Sequence, residues 1–545
     1  MCSSDLERQD GPGGDARRIR QADALLAGRY TLGPFRTVTL PDDLTWRENP
    51  FRDASWQNRF NGLSWLRTLL AAWLITGSPV YAQRVREVVA DWVRDNLVAG
   101  PPTTWTWYDQ AAAMRASVLA CAAALVGLDT DLLVAMGDHA DRLLQRRYYT
   151  AAGNHALDQD IGLMDLAWVN DRRSWMRTAR DRIARLVIDS VSPAGVSNEQ
   201  SVGYARYNYL RYLDAADRMD AYDLVPPAGL DRIPAMPTFL GWATLPDGRY
   251  DTVGDTSREE ALAVPGTIAE YAATAGRSGP APDATVRRYD EGWLFGRTGW
   301  GTERPIAQEV AWTFRFGPPR AFHGHEDGGS LTLYGHGARL VVDPGRATYN
   351  RGPWYDWFTG RTAHNVVVAP GLEWHRSSTP LVAYAEDARR VDARIRSTGY
   401  DGVRIERRLL FSRSLGYLLV EDRVVRTETG SDSDAMRAVS WGVRPYAGKA
   451  ARIEILDRNT GGWGHVDVDE IVQSDTPVAD LGALEDQHDH GTLALAALEG
   501  AHNARAFTGL PVDAPLAAMF DTKESAEVSK PLDERYINEI GRAHV

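Results

Sequence analysis

The chain has 545 residues, of which 44% are hydrophobic and 25% are charged, a balance that excludes disorder over most of its length. Its 61 basic and 73 acidic side chains give a net charge of −12, so the surface as a whole is not built to attract nucleic acid. It has no uninterrupted apolar run of the ~18 residues that a membrane span needs.

The two ends differ in character from the rest of the chain. Residues 1–22 are polar and rich in glycine, which predicts disorder. Met1–Leu6 and Glu539–Val545 resemble translations of a sequencing adapter, so 1–22 and 531–545 are set outside the folded domains as artefactual ends. Setting Cys2 aside leaves Cys121 as an unpaired cysteine.

Residues 23–275 are predicted to be helical. Apolar side chains recur at helical spacing in two stretches separated by Gly77-Ser78-Pro79, which indicates a helix hairpin. Further helices are expected at about 109–128, 131–148, 156–169, 171–191 and 205–220. Helices joined by short turns without intervening strands favour an α/α solenoid or an incomplete toroid.

After the linker at 275–282 the apolar residues recur with a period of two, which is typical of β-strands. Short strands with Gly-rich turns favour an antiparallel sandwich over 286–530. The predicted fold class is therefore α+β with two domains, an incomplete (α/α) toroid followed by an antiparallel β-sandwich. The clearest predicted strands are Ser330–Tyr334, Arg339–Val342, Asn365–Val368, Arg407–Phe411 and Tyr417–Glu421.

Histidine and aspartate cluster in the β region, at His323, His325, Asp343 and His364. Two residues apart on a strand, His323 and His325 share one face, and a hairpin could bring Asp343 beside His325. Imidazoles and a carboxylate suit Zn²⁺. The alternative is that these are ordinary polar residues on a sheet.

Three constellations stand out in the helical region. Gly153-Asn154-His155 precedes a predicted helix, where Asn154 could be a simple N-cap. A polar loop containing Glu199 leads into an aromatic segment with Tyr204, Tyr207 and Tyr209, which could equally fill the core. Trp107 and Arg115 belong to a patch whose aromatic rings could stack on sugars or pack between helices.

Several common catalytic signatures are absent from the sequence. It contains no GxSxG elbow, no HExxH helix, no P-loop and no GxGxxG after a strand. Nucleotide-dependent and serine-hydrolase chemistry therefore lose support, and no organic cofactor is expected.

The order of three motifs resembles the heparinase II/III-like polysaccharide lyases, which include related alginate lyases. The motifs are His323–Ser330, Val341–Gly345 and Arg361–Val368. Asn154-His155 and Glu199–Tyr204 also match the helical half of that family. The resemblance extends from about residue 46 to about residue 425.

The resemblance implies β-elimination at the uronic acid of an acidic polysaccharide, which would be the partner of the protein. The catalytic residues would be Asn154 and His155 on the carboxylate, Tyr204 as base and then acid, and His323 as a further contact. His155 could be the base for one C5 epimer, and Tyr207 is the fallback for Tyr204. The residues expected to bind substrate are Trp107, Arg115, Glu199, Tyr207 and Arg361.

The same resemblance implies a mainly structural Zn²⁺ held by His325, Asp343 and His364. It also implies a secreted or periplasmic location. Neither the particular polysaccharide nor the oligomeric state is predicted.

Two other functions remain open on the sequence. One is an inverting glycoside hydrolase that uses two carboxylates, such as Asp109 and Glu199, about 6.5–9.5 Å apart. The other is a cupin-like metal-binding protein, although Gly329 and Ser330 stand where a cupin carboxylate is expected.

Overall fold

The structure is a computed structural model that describes residues 14–369, 371–413 and 416–426. These residues belong to two compact units. One unit holds every described residue up to 368, together with 376–397 and the described part of 412–416. The other holds the described residues of 369–375, 398–411 and 417–426.

Helices dominate the described chain up to residue 273, as the apolar periodicity predicts. Their bounds are α1 Gly14–Leu26, α2 Ala54–Asn61, α3 Leu66–Thr76, α4 Pro79–Val93, α5 Asp109–Val126, α6 Thr130–Leu144, α7 Gly153–Val169, α8 Arg173–Ser190, α9 Val202–Ala221, α10 Met236–Trp242 and α11 Ile268–Ala273. Two short paired strands, β1 Arg29–Tyr30 and β2 Val38–Thr39, lie between α1 and α2.

The hairpin of α3 and α4 forms as predicted. Helix α3 ends at Thr76 and is capped by Gly77, which has φ +66° and donates its N–H to the carbonyl of Trp73. This left-handed conformation favours glycine, and Pro79 then begins α4 where no N–H is needed. The buried side chains of the hairpin are those of the apolar repeat, among them Leu66, Leu69, Leu70, Val85, Val88, Val89 and Trp92.

Helices α5 and α7 form the centre of this array. They approach so closely that a Cβ at Gly162 would lie 2.7 Å from the carbonyl oxygen of Ala113. Within the described residues α5 is also the helix with the length and hydropathy of a membrane span, yet 78% of its apolar window is buried inside the protein. Burial on all sides is how a core helix behaves. The pair fixes the positions of Asp109 and His155, which lie near the start of the two helices.

Antiparallel strands follow the helices, and those up to Ser397 belong to the same unit. A five-stranded sheet has the order β3-β4-β5-β6-β7, and β8 pairs with β9. The predicted strands at 330–334 and 339–342 are confirmed as β6 and β7. The bounds are β3 Val286–Tyr289, β4 Trp293–Arg297, β5 Ala311–Arg315, β6 Leu331–Gly335, β7 Ala338–Val341, β8 Leu381–Glu386 and β9 Arg390–Tyr400, with helix α12 Pro353–Thr359 between β7 and β8.

The second unit contains the hairpin of β10 (Val403–Ser412) and β11 (Leu418–Arg426), apart from Ser412, which belongs to the first unit. Its register pairs Val403 with Arg426 and Phe411 with Leu418. Side chains along β10 alternate between buried and half-buried, as period two requires. The strands predicted at 407–411 and 417–421 are confirmed.

Three expectations are wrong in the described chain. Asn365–Val368 is not a strand, because the Asn365 amide donates to the carbonyls of Leu331 and Val342, and Arg361 donates to that of Val367. Residues 14–22, predicted to be disordered, lie in α1. The third concerns the buried Cys121, which is disulfide-bonded and not unpaired.

The predicted domain limits stay predictions. Helix α11 ends at Ala273 and β3 begins at Val286, so the change from helix to strand falls within the proposed linker region. By its internal contacts, however, the helical region belongs to the same compact unit as the five-stranded sheet. The predicted sandwich beyond residue 426 and the tail at 531–545 lie outside the described residues.

Candidate active site

The first turns of α5 and α7 bring Asp109 against His155. The imidazole Nδ1 of His155 lies 3.1 Å from both carboxylate oxygens of Asp109, and the hydroxyl of Thr150 donates to one of them at 2.9 Å. Burial acts to raise the pKa of Asp109, but these hydrogen bonds outweigh it and the pKa is lowered. Burial acts to lower the pKa of His155, but Asp109 raises it. The contact therefore favours a protonated His155.

Asn154 presents an amide that makes no hydrogen bond with any described residue. The residue is only 5% exposed. It is not the N-cap of α7, since that position is taken by Ala152. Its backbone N–H instead donates to the carboxylate of Glu199. The amide is thus held near His155 with its hydrogen-bonding capacity unused.

Glu199 lies behind these groups and is completely buried. One of its oxygens accepts a hydrogen bond of 2.9 Å from the amide of Asn208, and the other lies 3.7 Å from Nε2 of His323. Burial raises the pKa of Glu199, and His323 only partly offsets this. This burial does not support the direct contact with substrate predicted for Glu199, which instead contacts Asn154 and lies near His323.

Tyr204, near the start of α9, stacks on His323. Their ring centroids are 3.3 Å apart and their planes differ by 6°. The hydroxyl of Tyr204 lies 2.6 Å from that of Tyr349. Burial raises the pKa of Tyr204, and the hydrogen bond from Tyr349 and the charge of Arg346 only partly offset it. Tyr204 is therefore a neutral phenol at neutral pH.

The fallback tyrosine, Tyr207, is directed elsewhere. Its hydroxyl donates to a carboxylate oxygen of Asp158 at 2.8 Å, and Arg211 binds the other oxygen of that carboxylate. Burial raises its pKa well above the usual value. Neither the catalytic nor the substrate-binding role predicted for Tyr207 is supported by this position.

The loop that carries His323 is tied to the segment before α9. The side chain of Gln200 donates to the carbonyl of Pro319 and accepts from the N–H of Ala321. The turn that faces this loop needs glycine at Gly254, where φ is +65° and a Cβ would lie 2.5 Å from the carbonyl of Gln200. These contacts explain how residues distant in sequence share one site.

Asp255 joins the two histidines of the HxH motif. One of its oxygens lies 2.8 Å from Nδ1 of His323 and the other 3.0 Å from Nε2 of His325. Burial acts to raise the pKa of Asp255, but the two hydrogen bonds lower it to about 2. An ionised carboxylate between two imidazoles fixes their orientation and tautomers.

The predicted metal ligands do come together. His325, Asp343 and His364 are buried, and one potential ligand atom from each lies within 4.8 Å of the others. Nδ1 of His325 and Nε2 of His364 are buried without a hydrogen-bond partner. Nδ1 of His364 lies 2.7 Å from Asp343. Buried nitrogens left unpaired are costly unless something binds them, so this donor set fits a metal ion.

Both arginines expected to bind substrate are structural. Arg115 is completely buried and donates to His139, to the carbonyl of Asn61 and to that of Thr106. Its burial lowers the pKa to about 9. Arg361 is 6% exposed and donates to two loop carbonyls, those of Gly328 and Val367. These contacts engage both guanidinium groups within the fold and do not support the predicted contact with substrate.

Trp107 is half-buried and packs edge to face on Trp92. The guanidinium carbon of Arg142 lies 3.6 Å from the centroid of its ring. One face of the Trp107 ring is therefore covered by an arginine, which does not support the predicted stacking of a sugar on that face.

Sequence reasoning missed Asp255 and Tyr349, which touch the predicted catalytic side chains directly. The signal for Asp255 was present in Val-Gly254-Asp255, where a glycine that a tight turn requires precedes an acid. Tyr349 carried no such signal, because a single tyrosine in a loop does not reveal which side chain it will meet.

The fold and the site define a protein with an α/α-helical array, a following antiparallel β region and a buried cluster of titratable groups. Two family models match, "Heparinase II/III N-terminus" over residues 4–275 and "Heparinase II/III-like, C-terminal" over 288–464. The chain belongs to the heparinase II/III-like family, as its motifs indicated.

Two named proteins show the extent of sequence similarity. A "Heparin-sulfate lyase" of Bacteroides stercoris is 21% identical over 441 residues, which cover 72% of this chain and 65% of that protein. A segment of 59 residues, 11% of this chain, is 41% identical to part of an Aspergillus rugulosus protein named as a candidate glycosyl hydrolase, of which it covers 8%. The chain thus spans less than two thirds of the length of either relative.

Solved structures share the fold. "Heparinase III" superposes with a TM-score of 0.66 at 18% identity, covering 77% of this chain and 72% of that one. The heparan sulfate lyase HepC from Pedobacter heparinus gives 0.56 at 18% identity, covering 78% and 70%. The predicted fold class is confirmed, whereas the export implied by the resemblance stays a prediction.

Proposed function

We propose that the protein is a polysaccharide lyase that cleaves a uronic-acid-containing polysaccharide, in the first place a glycosaminoglycan, by β-elimination. The observation that carries this proposal is the meeting of Asn154, His155, Tyr204 and His323 around the buried carboxylates of Glu199 and Asp255. Membership of the family and the named lyases among its relatives support the same reaction.

The first demand of the reaction is neutralisation of the uronate carboxylate. A proton next to a carboxylate is barely acidic, so the charge that develops on removing it must be stabilised. The unpaired amide of Asn154 and a protonated His155 could both bind that carboxylate. Asp109 keeps His155 protonated and holds its ring by Nδ1, which leaves Nε2 for the substrate.

The second demand is a base and an acid. Asp255 accepts from Nδ1 of His323, so Nε2 carries the lone pair and can take the C5 proton. The electron pair of the C5–H bond forms the C4–C5 double bond as the C4–O bond breaks. The departing glycosidic oxygen then takes the proton of the neutral phenol of Tyr204. Return of a proton from His323 to Tyr204 restores both groups.

The three buried ligands would hold Zn²⁺, since two imidazoles and one carboxylate match its preference. Bound there, the ion would supply structural cross-linking of the segments that carry its ligands. His325 is two residues from His323 and shares Asp255 with it, so an ordered His325 helps to orient His323. No step of the elimination passes through the metal.

The hydrolase alternative fits this site poorly. It needs two carboxylates facing a sugar, whereas Glu199 is completely buried and Asp109 is engaged by His155 and Thr150. The cupin-like alternative explains the metal ligands but leaves Asn154, His155 and Tyr204 without a role.

The test is a substrate panel followed by the ultraviolet absorbance of unsaturated uronate. Heparan sulfate, heparin, chondroitin sulfate, hyaluronan and alginate would each be incubated with the purified chain. We expect at least one to give absorbing products. Products with saturated ends, detected by reducing-sugar assay and mass spectrometry, would instead establish hydrolysis and refute the lyase.

A further inference from the structure

A cavity of about 300 Å³ opens beside Asp109, outside the cluster of Tyr204 and His323. Its walls come from the start of α5, the end of α6 and the turn that follows, and they include Trp107, Arg142, Arg147 and Tyr148. This volume is at the lower end of the range for small-molecule pockets and suits about one sugar residue.

Arg142 is the side chain that gives this cavity its character. Its guanidinium carbon lies 3.6 Å from the ring centroid of Trp107 and 5.2 Å from that of Tyr148. It makes no hydrogen bond or ion pair with any residue that the structure describes. A guanidinium that lies over aromatic rings keeps the N–H donors in its own plane available. Arg142 can therefore donate hydrogen bonds to a planar or tetrahedral anion.

The charges around the cavity add to this effect. Arg147 uses one nitrogen on Gln145, at 2.9 Å, and its guanidinium lies 4.9 Å from the ring of Tyr148. Asp109 is the one carboxylate among the residues that line the cavity, and its oxygens already accept from His155 and Thr150. The cavity is therefore lined by two cationic side chains, Arg142 and Arg147, and by one carboxylate, Asp109, whose charge is offset by His155.

The position of the cavity indicates what it binds. Asp109 both lines the cavity and holds His155, so the space begins one side chain away from the residue proposed to bind the uronate. We infer that this cavity is a subsite for a second acidic sugar, whose carboxylate or sulfate pairs with Arg142 and Arg147. Tyr148, 36% exposed, offers an aromatic face to the same sugar. This inference rests on the proposed function, because it assumes that the ligand is a polyanionic sugar chain.

The experiment measures binding separately from turnover. The Tyr204→Phe variant would be titrated calorimetrically with a heparan sulfate tetrasaccharide and with its desulfated counterpart. Adding Arg142→Gln should weaken binding about 10- to 100-fold, the usual effect of losing a charged hydrogen-bonding partner. Arg147→Gln should weaken it several-fold. Arg146→Gln is the matched control, because Arg146 is exposed and does not line the cavity.

Kinetics on the otherwise unaltered chain complete the test. Arg142→Gln should raise KM and leave kcat nearly unchanged, while thermal melting verifies that it folds. The desulfated probe decides which group pairs with arginine: if it binds as tightly as the sulfated one, the carboxylate is the partner. Equal affinities for Arg142→Gln, Arg147→Gln and Arg146→Gln would overturn the subsite.

The subsite and the lyase can fail separately. Tetrasaccharide binding that depends on Arg142, in a protein that cleaves no polysaccharide, would refute the lyase and keep the subsite. Cleavage with unaltered KM in the Arg142→Gln and Arg147→Gln variants would refute the subsite and keep the lyase.

Discussion

Two neighbouring tyrosines on α9 show how the environment decides a role that sequence could not. Tyr204 reaches the ring of His323 and the hydroxyl of Tyr349, whereas Tyr207 donates to the buried Asp158. One helical turn separates them, and both have the chemistry of a general acid. The difference lies only in which groups α9 places opposite each hydroxyl.

Tyr204→Phe should therefore abolish most activity without unfolding the protein. Loss of a positioned general acid typically costs ~10²- to 10⁴-fold in rate, so we expect a fall in kcat of that size. Tyr207→Phe should retain activity and lower the free energy of unfolding by about 1 kcal/mol, through the lost hydrogen bond. Initial rates and urea unfolding of both variants measure this. The assignment is wrong if Tyr207→Phe is the inactive variant.

The pair of Asp109 and His155 makes a prediction about pH. The raised pKa of His155 stabilises the fold below the unfolded value of about 6.5, and that stabilisation is lost as pH rises through the folded pKa. The lowered pKa of Asp109 stabilises it above the unfolded value, and this is lost as pH falls through the folded pKa. The two contributions coexist between these limits.

Asp109→Asn should then lower the pKa of His155 and move the alkaline rise in KM to lower pH. NMR titration of the His155 ring, assigned with His155→Gln, and KM measured against pH provide the readouts. Asp181→Asn, which removes an exposed carboxylate paired with Arg180, should change neither. An unchanged KM profile in Asp109→Asn would show that a charged His155 does not bind the substrate.

At the scale of elements, the sequence predicted secondary structure best where an apolar repeat was bounded by glycine and proline. The α3–α4 hairpin carried an apolar repeat and Gly77-Ser78-Pro79, and both are visible without a structure. Asn365–Val368 had the composition of a strand, but its Asn365 amide donates to the carbonyls of Leu331 and Val342, and Arg361 takes up the carbonyl of Val367. Arg115 was predicted to bind substrate, because the burial of an arginine without an acidic partner cannot be inferred from spacing.

The sequence predicted many of the side chains that form the candidate site, but not which of them contact one another. His325, Asp343 and His364 share a metal-ligand chemistry that sequence reveals. Asp255 acts through a contact that only the tertiary fold creates, since its turn must meet the loop of His323.

Asp255→Asn is expected to disturb both His323 and His325, since the carboxylate of Asp255 contacts each of them. Loss of a carboxylate behind a metal ligand commonly costs ~10- to 100-fold in metal affinity or activity, and we expect this in kcat and in zinc affinity together. Competition with a chromophoric chelator and steady-state kinetics measure the two effects. Asp247→Asn, at a surface ion pair with Arg339, is the control. A fall in kcat with unaltered zinc affinity would mean that Asp255 serves His323 alone.

Removal of the metal should loosen the loops without changing the helices. At free metal ~1,000-fold above its dissociation constant, binding contributes about 4 kcal/mol to the free energy of unfolding. Dialysis against a chelator should therefore lower Tm, and added Zn²⁺ should restore it. His364→Ala should melt at the lower Tm with or without zinc, whereas His336→Ala, at an exposed turn, should respond as the parent does. A Tm indifferent to chelation in the parent would exclude a structural metal.

At the scale of the whole molecule, a net charge of −12 opposes the binding of a polyanion that Asn154, His155 and Arg142 attract locally. The two effects have different ranges. At about 10 mM salt the Debye length is roughly 30 Å and the repulsion of the whole surface is felt, whereas at about 150 mM it is roughly 8 Å and mainly the site acts. We expect kcat/KM to rise with salt over this range.

Toward about 1 M salt, where the Debye length is roughly 3 Å, kcat/KM should fall because the contacts between the site and the polyanion weaken. Initial rates on an acidic polysaccharide across these salt concentrations measure the optimum, and Arg142→Gln should shift it by weakening the local attraction. A monotonic fall from the lowest salt would show that local attraction outweighs the molecular charge at every distance.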